Sequence, residues 1–160
     1  LRSPMRMARV TSPFSKRRYH PKEKEWRAHN GVDYAGRIGD PVRATADGQV
    51  KFVGRKSGYG KVIILQHGQK YSTLYAHLSR FAKNIRRDRT ITQGQVIGYV
   101  GTTGLSTGPH LHYEFRVNGV HKNPLTVKLP RSFAIDRALR REFMQTANFW
   151  SAHLNQLARR

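Results

Sequence analysis

From residue 48 to residue 117, apolar and polar positions alternate in short stretches. GQVKFVG (48–54), KVIILQH (61–67), YSTLYAH (71–77), GQVIGYVG (94–101) and LHYEFRV (111–117) read as strands. Turn signals separate them: ADG, KSGYG, HGQK, TQG, GTTGLSTGP and VNGV. The pattern predicts an antiparallel β domain with hairpin connections over 31–128. The period then changes. Leu139, Phe143, Ala147, Trp150, Leu154 and Leu157 recur at steps of three and four, the stripe of an amphipathic helix. That predicts a helix over 132–158, with Ser132 or Asp136 as N-cap. A stripe of this size is expected to be covered, by the β domain, a packing partner or a missing domain. Pro130 is the natural boundary, giving a β domain over 1–130 and a helical extension over 131–160. Residues 1–28 are basic and carry no periodicity, so they are expected to be irregular.

Composition narrows the chemistry. Among 160 residues, 30 Lys and Arg face 9 Asp and Glu, a formal net charge of +21. Such a charge predicts attraction to polyanions and says nothing of the fold. There is no cysteine, so disulfides and thiolate metal sites are both excluded. Any metal must be held by His, Asp or Glu. No run of about 18 apolar residues occurs, so no transmembrane helix is expected. The chain starts at Leu1 and is expected to be a fragment of a larger exported protein.

The eight histidines are the candidates for chemistry. In GPHLHYEF (108–115), a strand's period of two puts His110, His112, Glu114 and Arg116 on one face. Leu111, Tyr113, Phe115 and Val117 fall on the other. A catalytic zinc takes three protein ligands and leaves one position open. Those ligands usually comprise a close pair and a distant partner. The close pair is His29 and Asp33 in HNGVD, whose even spacing puts both on one face of an extended segment. The distant partner is one of the histidines in HLH. His77 ends a strand whose odd-numbered face is Tyr71, Thr73, Tyr75 and His77. Three such groups at strand ends predict one shared cleft. Glu114, on the same face, suits either a hydrogen bond to a cleft histidine or a salt bridge with Arg116. His20, His67, His121 and His153 read as loop, structural or surface residues.

HNGVDYAG, GDPVRATADGQV, TLYAHLS, GQVIGYVGTTGLSTGPHLHYEFRVNG and NPL together resemble the LytM/lysostaphin-type zinc endopeptidases of bacterial cell walls. The resemblance runs from about Ser12 to about Leu129, and GTTGLSTGPHLHYE is its most specific part. It implies an antiparallel β-sheet metallopeptidase domain with hairpin loops around a zinc cleft. It implies a Zn2+ cofactor held by His29, Asp33 and His112, with His77 and His110 as the catalytic pair. The substrate it implies is peptidoglycan, hydrolysed at its peptide cross-links in the bacterial envelope, in the periplasm or cell wall. The positive charge then suits anionic envelope polymers. Arg87-Asp88 stands where the family tends to turn on a glycine. Three other classes fit less well. A non-catalytic relative that regulates wall hydrolases would lose ligands, and all five positions are present. A lipoyl-type carrier needs a hairpin-tip lysine that the chain lacks. No specific nucleic-acid-binding motif accompanies the charge.

Overall fold

The computed structural model describes residues 3–6, 9–20, 25–128 and 137–157. The chain divides into two compact units, 1–127 and 128–160. The first holds twelve strands: β1 (Val10–Ser12), β2 (Ser15–His20), β3 (Glu25–His29), β4 (Val32–Ala35), β5 (Pro41–Arg43), β6 (Gly48–Lys56), β7 (Gly60–His67), β8 (Tyr71–Phe81), β9 (Thr90–Ile91), β10 (Val96–Val100), β11 (His110–Val117) and β12 (Val120–Lys122). Ten form one sheet in the order β1-β4-β11-β8-β7-β6-β9. On it, β10 joins β8 and β5, and β12 joins β11. Every pairing is antiparallel. The mainly β architecture expected from the alternation is the one observed.

Alternation also decides the layers. Val32, Ile63, Leu65, Tyr75, Leu111 and Tyr113 project to one side and belong to the main core. Each apolar side chain buried there contributes roughly 1.5–3 kcal/mol before entropy is subtracted. The opposite side of the central strands carries a smaller cluster of Val62, Ile64, Leu74 and Ala76, with Phe52 and Tyr59 against it. The second side also bears the polar face of β11. The tip of the β6–β7 hairpin lies against the 101–109 loop. Gly60, at φ +65°, meets the Thr103 backbone where any Cβ would collide, and this contact fixes Thr103 beside the polar face.

Three expectations change. Residues 1–28 are not irregular throughout, because β1, β2 and most of β3 lie within them. β2 and β3 form a two-stranded ribbon of their own. Such a ribbon is held by backbone hydrogen bonds and needs no apolar alternation to reveal it. The helix, α1, runs Arg137–Leu157; Pro130 and both proposed caps lie outside the described residues. Finally, the helical stripe is exposed within its own unit. Leu139, Phe143, Trp150, Leu154 and Leu157 are all more than half exposed, since among the described residues of that unit no second element accompanies α1 to bury an apolar face. Among the described residues, no helix is long and apolar enough to cross a membrane.

Candidate functional site

β11 lies between β4 and β8, so its polar face receives side chains from both sides. Across the β4 pairing His112 is opposite Asp33, and across the β8 pairing it is opposite Ala76. His29 and Asp33 do meet, but not as one extended segment. β3 ends at His29, the chain bends at Asn30-Gly31, and β4 starts at Val32. The bend needs glycine. A Cβ at residue 31 would sit 2.5 Å from the Tyr113 carbonyl oxygen and 2.8 Å from the His112 ring. Gly31 therefore lets β3 close over the ring of His112.

His77 reaches the cleft by a route that alternation hides. Tyr75 and Thr73 point into the core, where the Tyr75 hydroxyl bonds Thr45 and Thr73. Strict alternation would send His77 the same way. Instead His77 takes φ +58°, and the β7–β8 register shifts beside it. The left-handed backbone turns the ring to the other side. Its backbone N–H donates to the Tyr59 carbonyl at 2.9 Å. Such a conformation in a non-glycine residue costs on the order of 1–3 kcal/mol and persists only where its surroundings fix it.

Each of the four cleft histidines has one ring nitrogen on an acceptor. His29 Nδ1 donates to the Pro13 carbonyl (2.8 Å), His77 Nδ1 to the Thr103 carbonyl (2.7 Å) and His110 Nδ1 to the Gly108 carbonyl (2.9 Å). His112 Nε2 lies 3.2 Å from Glu114 Oε1. In the neutral tautomer that keeps the hydrogen on the nitrogen facing the backbone carbonyl, or Glu114 for His112, the opposite nitrogen is a lone pair. Two of these lone pairs converge. His29 Nε2 and His112 Nδ1 are 3.2 Å apart, and they lie 3.0 and 2.8 Å from Asp33 Oδ1. Three acceptors facing one another need a shared cation, either a proton or a metal ion. All three residues are buried, and their ligand atoms lie within 4.8 Å of one another. Two imidazoles and one carboxylate are a donor set that zinc accepts. The residues therefore fit a metal on their own geometry.

The electrostatics agree. Burial works against the Asp33 charge, but hydrogen bonds from His112 and His29 outweigh it and hold the carboxyl well below the ordinary range. For His112, burial disfavours the cation, yet Asp33 and Glu114 overcome that and raise its pKa. His77 behaves oppositely. Burial is its largest influence and brings its pKa down to about 4, so His77 is neutral at physiological pH. Its ring centroid is 4.7 Å from that of His110, whose Nε2 lies 3.8 Å from Asp33 Oδ1.

All five residues singled out in the sequence, His29, Asp33, His77, His110 and His112, line one cleft of about 580 Å³. Leu105 and, from the STGP loop, Thr107, Gly108 and Pro109 line it too. Glu114 turns out to make both candidate contacts. It accepts from His112, and its Oε2 accepts from Arg116 Nε at 2.9 Å. His67 is structural, bridging the Asp47 carbonyl and the Thr73 hydroxyl. His121 is not a plain surface residue, for its Nε2 lies 3.1 Å from Glu114 Oε2 without hydrogen-bond geometry. Tyr59 and Thr103 were not legible as site residues. Nothing in KSGYG or GTTG distinguishes a cleft residue from a turn residue.

Three kinds of relative bear on this geometry. Residues 27–124 match the model of peptidase family M23. Over 127 residues, or 79% of the chain, the sequence is 50% identical to the DD-carboxypeptidase/endopeptidase Mpg of Neisseria meningitidis serogroup B. Over 147 residues, or 92%, it is 42% identical to the peptidoglycan DD-endopeptidase ShyC of Vibrio cholerae. The chain spans 29% and 34% of the lengths of these two relatives. Among solved structures, a zinc-containing peptidase from Vibrio cholerae superposes with a TM-score of 0.70 at 35% identity, covering 76% of this chain and 37% of that one. The catalytic domain of lysostaphin from Staphylococcus simulans superposes at 0.65 with 29% identity, covering 74% and 90%. The matched stretch contains the whole of the histidine cluster, and by that match the chain belongs to peptidase family M23.

Proposed function

We propose that this chain is the catalytic part of a zinc-dependent endopeptidase that hydrolyses peptide cross-links of bacterial peptidoglycan in the cell envelope. The observation that carries the reading is the convergence of three potential ligand atoms, His29 Nε2, Asp33 Oδ1 and His112 Nδ1, in an open cleft. The names of the relatives, peptidoglycan DD-endopeptidase and zinc-containing peptidase, supply the substrate and the metal.

His29, Asp33 and His112 are the metal ligands in this reading. When bound, zinc supplies a Lewis acid and a water activated near neutral pH. The remaining chemistry falls to the chain's own side chains. His77 and His110 are the catalytic pair, and each is anchored through Nδ1 so that Nε2 is presented to the cleft. The depressed pKa of His77 keeps its Nε2 a free lone pair at working pH, as a proton acceptor requires. His110 stands on the other side of the same space, positioned to hold or return a proton as the leaving amine departs. Whichever histidine holds a proton on Nε2, His77 only after it has accepted one, can donate to the oxygen that gains charge at the scissile carbonyl. The sharp bend at Gly31 and the strained backbone at His77 show how much local structure serves to fix these rings. Peptide carboxylates and wall-associated anionic polymers complement the net charge of +21.

The test is the clearing of purified peptidoglycan sacculi by the 160-residue chain before and after chelation, with zinc then restored. The expected result is activity lost on chelation and regained with zinc. Activity indifferent to chelation would overturn the reading.

A further inference from the structure

Glu114 stands apart from every other acidic side chain described. It is fully buried, with no exposed surface, and it touches four side chains. Tyr59 Oη donates to Oε1 at 2.6 Å, and His112 Nε2 faces the same oxygen at 3.2 Å. Arg116 donates to Oε2 through Nε at 2.9 Å and through its terminal nitrogen as well. His121 lies 3.1 Å from Oε2. A buried carboxylate without partners would be strongly destabilising, and even a paired one rarely outperforms an apolar residue of similar volume. Stability alone therefore does not account for a carboxylate at this place.

The comparison among the histidines does. His29, His77 and His110 hand their outward N–H to backbone carbonyls of Pro13, Thr103 and Gly108. Among these four, His112 alone hands it to a carboxylate. Among the described residues Glu114 is the hydrogen-bond partner of His112 Nε2, so without it only the contact of Nδ1 with Asp33 holds the ring, and nothing keeps the hydrogen on Nε2. We propose that Glu114 is the positioning residue for His112. It holds Nε2 in the protonated form and turns Nδ1, as a lone pair, toward His29 and Asp33. Arg116 and Tyr59 hold the carboxylate still, and the Arg116 charge offsets the cost of burying it. The inference rests on the reading of His112 as a metal ligand and adds the atom through which it binds. A carboxylate behind an imidazole also makes the ring a better electron donor than a carbonyl would.

The test has two parts and uses the full chain with zinc ion alone as the probe. The first needs no variant. Long-range nitrogen–proton NMR of the histidine rings in the zinc-loaded chain should show His112 protonated at Nε2 and metal-shifted at Nδ1. The opposite assignment, zinc at Nε2 with Nδ1 protonated, overturns the proposal. The second measures zinc affinity by competition with a chelator. Glu114→Gln should weaken zinc binding about 10- to 100-fold, the usual scale for loss of an orienting partner. The double variant Glu114→Gln with Arg116→Gln removes the buried carboxylate and the half-buried guanidinium paired with it. It keeps the measurement meaningful if the single variant fails to fold, and it should show the same loss. A folded variant, single or double, that binds zinc within about twofold of the unaltered chain overturns the proposal. His112→Ala separates this failure from failure of the site itself. If His112→Ala binds zinc as tightly as the unaltered chain, His112 is no ligand and the underlying reading falls with the inference.

Discussion

The two faces of β11 are buried almost equally and for opposite reasons. On one face Leu111, Tyr113 and Phe115 have at most 2% of their surface exposed, and on the other Glu114 has none and His112 has 7%. The first face is held by area removed from water, which is non-directional. The second is held by named atoms at 2.6 to 3.2 Å. An apolar face therefore tolerates a change of shape if volume is kept. A face of charges and lone pairs tolerates no change of donor or acceptor, because each group left alone bears its full desolvation cost. The comparison explains how one strand can serve core and chemistry together, with a period of two to keep them apart.

The sharpest way to break the comparison is to remove a ligand. His29→Ala, Asp33→Ala and His112→Ala should each abolish tight zinc binding and all peptidoglycan cleavage, as read by metal analysis after dialysis and by sacculus clearing. Gly31→Ala should come close to this, because its Cβ meets a backbone oxygen that cannot move aside. Next in size is the proposed catalytic pair. His77→Ala and His110→Ala should retain zinc and lose about 100- to 10,000-fold in rate. Loss of metal from His110→Ala with residual rate kept would reverse the roles within HLH.

On the apolar face, Leu111→Ala should cost about 2–5 kcal/mol of stability by denaturant titration. The folded fraction should bind zinc with unchanged affinity, and a matching loss of affinity would blur the division between faces. The pH dependence of stability sharpens it further. His77 has a folded pKa of about 4 against an ordinary 6.5, so its contribution is present above pH 6.5 and is lost as pH falls toward 4. In the metal-free chain His77→Gln should flatten that acid-side decline. His112, whose pKa is raised, works in the opposite sense, so the variant isolates His77 where the raw profile does not. The smallest effect is expected on α1. Trp150 is 55% exposed, and Trp150→Gln should shift stability by no more than about 0.5 kcal/mol and leave zinc affinity alone.

Much of this was legible in the residues, and the rest was hidden for identifiable reasons. β6, β7, β8, β10 and β11 announce themselves, because apolar residues alternate along them and turns punctuate them, whereas β9 and β12, two and three residues long, are too short to show a period. The two faces of β11 follow from its alternation alone. The even spacing pairs His29 with Asp33 on one extended segment, whereas in the structure a bend at Gly31 brings the two side chains together. His77 was placed in the cleft although its own strand's period points it into the core; the positive φ that redirects it leaves no mark in the composition. β2 and β3 were invisible because a polar ribbon has no apolar rhythm. The exposed stripe of α1 ran against expectation because periodicity reveals an apolar face and not what covers it. The left-handed backbone at Asp88, φ +64°, is the local adaptation that Arg87-Asp88 requires where a glycine would turn without strain.

In the proposed function, the His29, Asp33 and His112 cluster of this cleft serves the hydrolysis of peptide bonds in the bacterial wall. The most direct measurement is mass spectrometry of the products released from purified sacculi by the zinc-loaded chain. The account predicts that cross-linked peptide dimers are converted to monomers, each cleavage adding one water, while the glycan strands stay whole. Glycan fragments with intact cross-links, or unchanged dimers in the presence of stoichiometric bound zinc, would contradict it.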